Sequence, residues 1–212
     1  MSLKSTVVLM LVFASAGCSA GQRTGGALVR RECPAFDDDG YFFAKGEPAF
    51  GVDSSDVDSS ERRLYSSRMR LTRLRSLSCG ESEDAYRLII FRPVGPLMHV
   101  VDISKSRSWN ASVVTIHGID GALQAGEQRT SRNITGEDVR NIVMALDAAS
   151  FWSIPPLAGS PANDGATWII EVRVDGRYRA VRRLSPYLET DRQFREAGLE
   201  FFRVAGVKAP GY

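Results

Sequence analysis

The stretch that decides the fold reads TWIIEVRV, then DG, then RYRAVRR, across residues 167–183. Two β-rich runs joined by Asp-Gly are a strong signal of a β-hairpin, here with a type I′ turn at Asp175-Gly176. The two-residue turn sets the register of the two strands. The facing pairs that it predicts are Trp168–Arg183, Ile170–Val181, Val172–Arg179 and Val174–Arg177.

The second strand of this hairpin carries arginines on the side that it shares with Trp168. Arginine stems can cover apolar surface while their charged heads reach water, and charges along an edge strand discourage aggregation. We therefore expect residues 177–183 to form an edge strand of a sheet. Glu171 points to the opposite side, where we expect it to pair with Arg182 across the two strands.

The remaining elements predict a domain built around this hairpin. A helix begins after Thr135, and a last helix over residues 191–205 is capped by Thr190 and ends at Gly206. Three short β-rich runs precede both helices, at residues 85–92, 98–104 and 112–117. The order β-β-β-α-β-β-α predicts an α+β fold over residues 83–206, with a mostly antiparallel sheet and helices packed on one face.

The composition is that of an ordinary globular protein. The 212-residue chain is 43% hydrophobic and carries a formal net charge of +2. These values exclude a collagen, a coiled coil, a polytopic membrane protein and a wholly disordered chain.

The first residues have the layout of a secretory signal. Lys4 precedes an apolar run over residues 7–14, which is too short to cross a bilayer, and small residues follow it. Residues 15–18, SAGC, resemble the lipobox of bacterial lipoprotein signals. The resemblance implies a signal peptide over residues 1–17 and a lipid on Cys18. Cleavage after Ala16 or Ala20 stays open, because small residues precede both sites.

The segment between this signal and the domain has two parts that differ in amino-acid composition. Residues 18–31 are small and polar and predict a lipidated tether. Residues 32–82 are acidic and then rich in arginine, and residues 207–212 form a tail. If Cys18 carries lipid, Cys33 and Cys79 remain as one pair, which an exported protein is expected to oxidise. That disulfide would close a loop of about 46 residues and stabilise the fold by about 4 kcal/mol.

The arginine-rich part predicts a helix over residues 60–75 and a candidate anion-binding surface. The candidates on this segment and on the hairpin are Arg62, Arg63, Arg68, Arg70, Arg73, Arg75, Arg177, Arg179 and Arg183. A solvated helix is the alternative, because the arginines spread around the helical cylinder. Export makes a polyanion or a lipid headgroup the relevant partner and excludes nucleic acid.

No strong catalytic motif is present in the sequence. Asp164 and Glu171 are the weak candidates for acid–base work, although turn chemistry and a cross-strand ion pair explain them as well. The two histidines, His99 and His117, lie in predicted strands. There is no Cys-x-x-Cys or His-x-x-His spacing and no phosphate-binding glycine loop, so we predict no metal site and no cofactor.

One set of spaced residues resembles an uncharacterised family of bacterial proteins. The family pattern is E-x-Y-R…F-W…P…D-G-x-x-W-x-x-E…G-x-Y…S-P, and the resemblance spans about residues 83–205. The residues that carry it are Glu83, Tyr86-Arg87, Phe151-Trp152, Pro155, Asp164-Gly165, Trp168, Glu171, Gly176, Tyr178 and Ser185-Pro186. The resemblance implies a shared fold and no mechanism, and Arg179 stands where the family has histidine.

These features together predict an exported bacterial envelope lipoprotein that faces the periplasm. We expect the domain to bind or support another envelope component without catalysis. Two alternatives stay open: a periplasmic hydrolase with a site near residues 153–165 and Glu171, and a module that binds a polyanion or a lipid headgroup.

Overall fold

Among the residues that the structure describes, seven strands form one sheet. The computed structural model describes residues 42–43, 48–50, 56–78, 83–93, 96–119, 122–158, 165–186 and 189–210. The strands are β1 (Ala85–Phe91), β2 (Pro96–Lys105), β3 (Trp109–Ile119), β4 (Ala122–Asn133), β5 (Leu157–Ala158), β6 (Thr167–Val174) and β7 (Arg177–Leu184). Their order is β4-β3-β2-β1-β6-β7-β5, and neighbours are antiparallel except β5 and β7. The predicted α+β fold with a mostly antiparallel sheet is confirmed.

Helices cover both faces of this sheet, so the expectation that they pack on one face only was wrong, because the first helix covers the second face. The helices of the described residues are α1 (Asp56–Arg70), α2 (Gly136–Ala148) and α3 (Arg192–Ala205). Helices α2 and α3 pack with Trp168 and Leu88 on one face, which we call the α2/α3 face. Helix α1 packs with Ile89 and Phe91 on the opposite face, together with Phe42 and residues 48–50. We call this the α1 face.

Because both faces of the sheet are covered, apolar and polar residues alternate only in part along its strands. Strand β1 lies in the middle of the sheet and is buried at every position. A strand that is buried on both faces has no solvent side, so its sequence need not alternate between apolar and polar residues.

The hairpin has the register predicted from its turn. All four predicted facing pairs are present between β6 and β7. Asp175 and Gly176 have φ angles of 51° and 73°, as a type I′ turn requires at both central positions.

Strand β7 is the edge strand that we expected only over residues 177–181, to which no described strand pairs on the outer side. Strand β5 pairs with it in parallel at Arg182 and Arg183. The chain after α2 returns along β7, and the Arg182 amide donates to the carbonyl of Pro156 over 2.7 Å. The expectation failed at the end of β7 because the pairing there depends on the path of this distant segment.

Strand β4 is a strand that the sequence pattern did not predict. It reads ALQAGEQRTSRN, which is polar and poor in β-branched residues. Its pairing with β3 holds it in place through backbone hydrogen bonds, which do not depend on side-chain type.

The helix ends agree with the sequence at most points. Thr135 and Asp138 form the reciprocal capping box of α2, and Gly206 ends α3 in the left-handed conformation with φ of 70°. Thr190 does not cap α3, because a 3₁₀ turn over Glu189–Asp191 makes Asp191 the N-cap residue. The Asp191 side chain binds Arg183 instead of the helix.

Helix α1 begins and ends earlier than predicted, since it stops at Arg70 rather than near residue 75. The chain then turns, and Arg73 has a φ of 55°. None of the helices in the described ranges is long and apolar enough to cross a membrane.

Candidate functional site

A buried network of charged and polar side chains lies at the centre of the α1 face. Arg87 on β1 stands directly opposite Asp102 on β2 and directly opposite Glu171 on β6. Tyr178 on β7 reaches Glu171 from the next strand. Four adjacent strands therefore contribute to a single cluster, which we call the Arg87 network.

The contacts in the Arg87 network are short and directional. The Arg87 guanidinium donates through Nε to Asp102 Oδ1 over 2.7 Å and lies 3.4 Å from Glu171 Oε2 through Nη1. The Tyr178 hydroxyl donates to the other Glu171 oxygen, Oε1, over 2.8 Å. The Phe42 ring covers the guanidinium, with 5.4 Å between Cζ and the ring centre. The network thus lies between the sheet and the segment that precedes α1.

Burial sets the protonation chemistry of this network. Glu171 has no exposed surface, and desolvation raises the pKa of its carboxyl although Arg87 and Tyr178 act in the opposite direction. Desolvation lowers the pKa of Arg87, but the charges of Asp102 and Glu171 outweigh it, so the net shift is upward. Arg87 therefore keeps its positive charge beside two carboxyl groups.

The weak catalytic candidate Glu171 is engaged with partners inside the fold. One of its oxygens accepts from Tyr178 and the other faces Arg87, so both are occupied inside the sheet. The expected pair between Glu171 and Arg182 is wrong, because the neighbour on the other side of β6 provides Arg87. Arg182 instead binds Glu61 on α1 over 2.5 Å.

The Arg87 network unites residues that are far apart in the family-like pattern. Arg87, Glu171 and Tyr178 belong to its Y-R, W-x-x-E and G-x-Y parts. Sequence reasoning missed Asp102 and the role of Arg87. A usable signal was present, since Arg87 is the one charged residue of AYRLIIF and Asp102 interrupts the apolar run of PLMHVVDISK.

The candidate anion-binding arginines do not form one surface. Those of the segment 62–75 lie on and after α1, which covers the α1 face. Arg177, Arg179 and Arg183 of β7 share the side of Trp168, on the opposite face. The sheet thus separates the two groups.

Several of these arginines make contacts within the protein. Arg62 is buried and lies 3.3 Å from the carbonyl of Phe43. Arg183 is buried beside Asp191, with its guanidinium over the Phe194 ring. The heads of these two residues do not reach water, which contradicts the expectation for Arg183. The exposed candidates on and after α1 are Arg63, Arg70, Arg73 and Arg75.

Two further arginines hold the turn that follows α2. Arg179 donates to the carbonyl of Ile154. The Arg177 guanidinium lies 4.6 Å from the ring centre of Trp152, which is half-buried and packs edge-on against Phe151. We call Trp152, Ile154, Arg177 and Arg179 the Trp152 patch.

The histidines occupy different environments. His117 is exposed, whereas His99 lines a cleft of about 180 Å³ between the sheet and the C-terminal end of α3. Its Nδ1 lies 3.2 Å from the hydroxyl oxygen of Thr115. Burial, followed by the charges of Arg92 and His117, lowers the pKa of His99 from 6.5 to about 4. His99 is therefore neutral at neutral pH.

No group of three histidine, cysteine, aspartate or glutamate side chains within the described ranges is arranged to hold a metal ion. The lipidation candidate Cys18, the disulfide candidates Cys33 and Cys79, and the weak catalytic candidate Asp164 lie outside the described residues. Comparison of the chain with protein-family models and with curated proteins gives no match.

Proposed function

We propose that the chain is an exported, lipid-anchored protein of the bacterial envelope, whose α+β domain binds or supports another envelope component without catalysis. The leader and the lipobox-like residues before Cys18 support export and anchoring. The domain would face the periplasm.

The contacts of Glu171 are the observation that supports a binding role without catalysis. A general base has to reach a substrate proton within hydrogen-bond distance. Both Glu171 oxygens face partners within the protein, and Phe42 covers the guanidinium beside them. The strongest acid–base candidate in the described residues thus contributes to the cohesion of the fold.

The Trp152 patch is the surface that we assign to the envelope component. Tryptophan and arginine dominate the binding energy of protein interfaces, because they combine large apolar area with hydrogen bonding. Arg177 lies over the ring of Trp152, and Arg179 fixes the backbone of the same turn at Ile154. The patch is therefore held in shape before binding, which lowers the entropy cost of association.

Affinity capture from the native envelope tests this assignment. We expect the double variant W152A/R177A to lose a partner that the wild-type protein retains. A matched control is K105A/W109A, which removes another cation–aromatic pair, with 5.8 Å between Lys105 Nζ and the Trp109 ring. Equal recovery of the partner by both variants would refute the Trp152 patch.

A second candidate function is binding of anionic lipid headgroups by the exposed arginines on and after α1. It predicts retention on anionic vesicles that falls steeply between about 50 and 200 mM salt. Retention that does not change with salt, or no retention, counts against it. The hydrolase alternative, with a site near residues 153–165 and Glu171, would require turnover that is lost in D164A or E171A while the fold is retained.

A further inference from the structure

Strand β4 ends the sheet with a long and exposed edge. It spans Ala122–Asn133 and pairs with β3 on one side. Within the described residues no strand lies on its other side. Residues 126–133 are all exposed, and this stretch contains no proline that would block pairing.

The register of β3 and β4 shows which backbone groups point outward. The Ile134 amide donates to the Trp109 carbonyl, so this facing pair is hydrogen-bonded. In an antiparallel ladder the hydrogen-bonded and non-bonded pairs alternate. The residues whose N–H and C=O groups point away from β3 are therefore Glu127, Arg129, Ser131 and Asn133.

Two opposite charges stand at this outer edge. Glu127 and Arg129 lie on the α1 face, because they pair with Ile116 and Val114, which belong to the core on that face. Their side chains are 2.7 Å apart. Arg129 also donates to the carbonyl of Thr72 over 2.7 Å, which holds it at the rim of the sheet.

We propose that β4 pairs with β4 of a second copy of this chain, antiparallel about a two-fold axis at Gln128. In this register Glu127 lies opposite Arg129 of the second copy, and Arg129 lies opposite its Glu127. The four side chains form a closed arrangement of alternating charges. A two-fold interface uses the same surface on both copies, and these charges complement themselves in that way.

Neighbouring registers are disfavoured by the same charges. A two-fold axis at residue 127 places Glu127 opposite Glu127 of the second copy. An axis at residue 129 places Arg129 opposite Arg129 of the second copy. Like charges directly opposite each other destabilise a strand pair. An axis at Gln128 also pairs residues 123–133 of each copy, which is nearly the whole strand. Charge and overlap therefore favour one register.

Site-specific disulfide formation tests both the contact and the register. Gln128→Cys places two cysteines opposite each other on the axis, where a non-hydrogen-bonded pair has its Cα atoms about 4.5 Å apart, within disulfide range. Thr130→Cys is the matched control, because residue 130 would face Gly126 and lie about 13 Å along the strand from residue 130 of the second copy. We expect mild oxidation to yield a covalent dimer with Q128C and not with T130C or the wild type.

Charge reversal tests the ion pairs independently. We expect E127R and R129E each to weaken dimerisation about tenfold, because each replaces two attractive pairs with repulsive ones. The double variant E127R/R129E should restore the wild-type affinity, whereas E137R on α2 should change nothing. Light scattering after gel filtration gives the affinity, and circular dichroism verifies the fold. A monomeric wild type, equal cross-linking of Q128C and T130C, or no rescue by the double variant would overturn the proposal.

Discussion

Arg87 and Glu171 face each other across two neighbouring strands, although they are 84 residues apart in the chain. Arg87 faces Asp102 on its other side, so one cation lies between carboxyl groups from both neighbouring strands. Removing one partner from a buried ion pair leaves the other charge buried without compensation. The resulting loss of stability is larger than the net stability that the intact pair contributes. The Arg87 network therefore determines how the middle of the sheet responds to substitution.

Glu171→Ala should destabilise the protein without affecting a binding function. We expect the free energy of unfolding to fall by about 3 kcal/mol, because Arg87 loses one of two carboxylates and Tyr178 loses its acceptor. Tyr178→Phe removes one hydrogen bond and should cost about 1 kcal/mol. Urea denaturation measures both, with Glu137→Ala on the exposed side of α2 as the control. A change below about 0.5 kcal/mol for E171A, the size expected at an ordinary surface site, would contradict the structural role.

His99 should make the protein less stable in acid. The pKa of His99 is about 4 in the folded protein, compared with 6.5 for an unperturbed histidine, so the folded state binds fewer protons between these pH values. The stability that neutral His99 contributes is thus present above pH 6.5 and is lost as the pH falls towards 4. We expect H99Q to lose less unfolding free energy than the wild type over this range. The exposed-site variant H117Q should follow the wild type, and identical pH slopes for H99Q and the wild type would argue against a buried neutral His99.

Helix α3 approaches the sheet closely at Gly198. A Cβ atom built at this glycine lies 2.5 Å from Cζ3 of Trp168, which is fully buried. Gly198→Ala should therefore force the helix or the ring to move and cost about 2 kcal/mol. Gly136→Ala is the control, since its Cβ meets nothing nearer than 3.9 Å. Thermal unfolding of the two variants compares them, and a G198A protein as stable as G136A would show that α3 does not contact Trp168 so closely.

Local signals in the sequence were sufficient for part of the fold. The Asp-Gly turn predicted the register of β6 and β7, and Thr135 with Asp138 predicted the start of α2, because both depend on residues a few positions apart. Strand β4 was missed because its pairing with β3, rather than its own side chains, holds it in the sheet.

The candidate site could be predicted only in part. Glu171 was identified as a residue that points away from Trp168, but its partner depends on which strand lies on the far side of β6. That strand is β1, about 80 residues earlier in the chain, and no local pattern gives such a pairing. The family-like pattern contains Arg87, Glu171 and Tyr178, but it did not indicate that these three side chains meet.

Intact-mass analysis of protein from its native envelope tests export and anchoring most directly. Our account predicts a chain that begins at Cys18 and carries the added mass of a lipid, with Cys33 and Cys79 oxidised. A C18S variant should lack the lipid mass. Recovery of a chain that retains Met1, with Cys33 and Cys79 both reduced, would contradict the assignment to the envelope and the proposed partner with it.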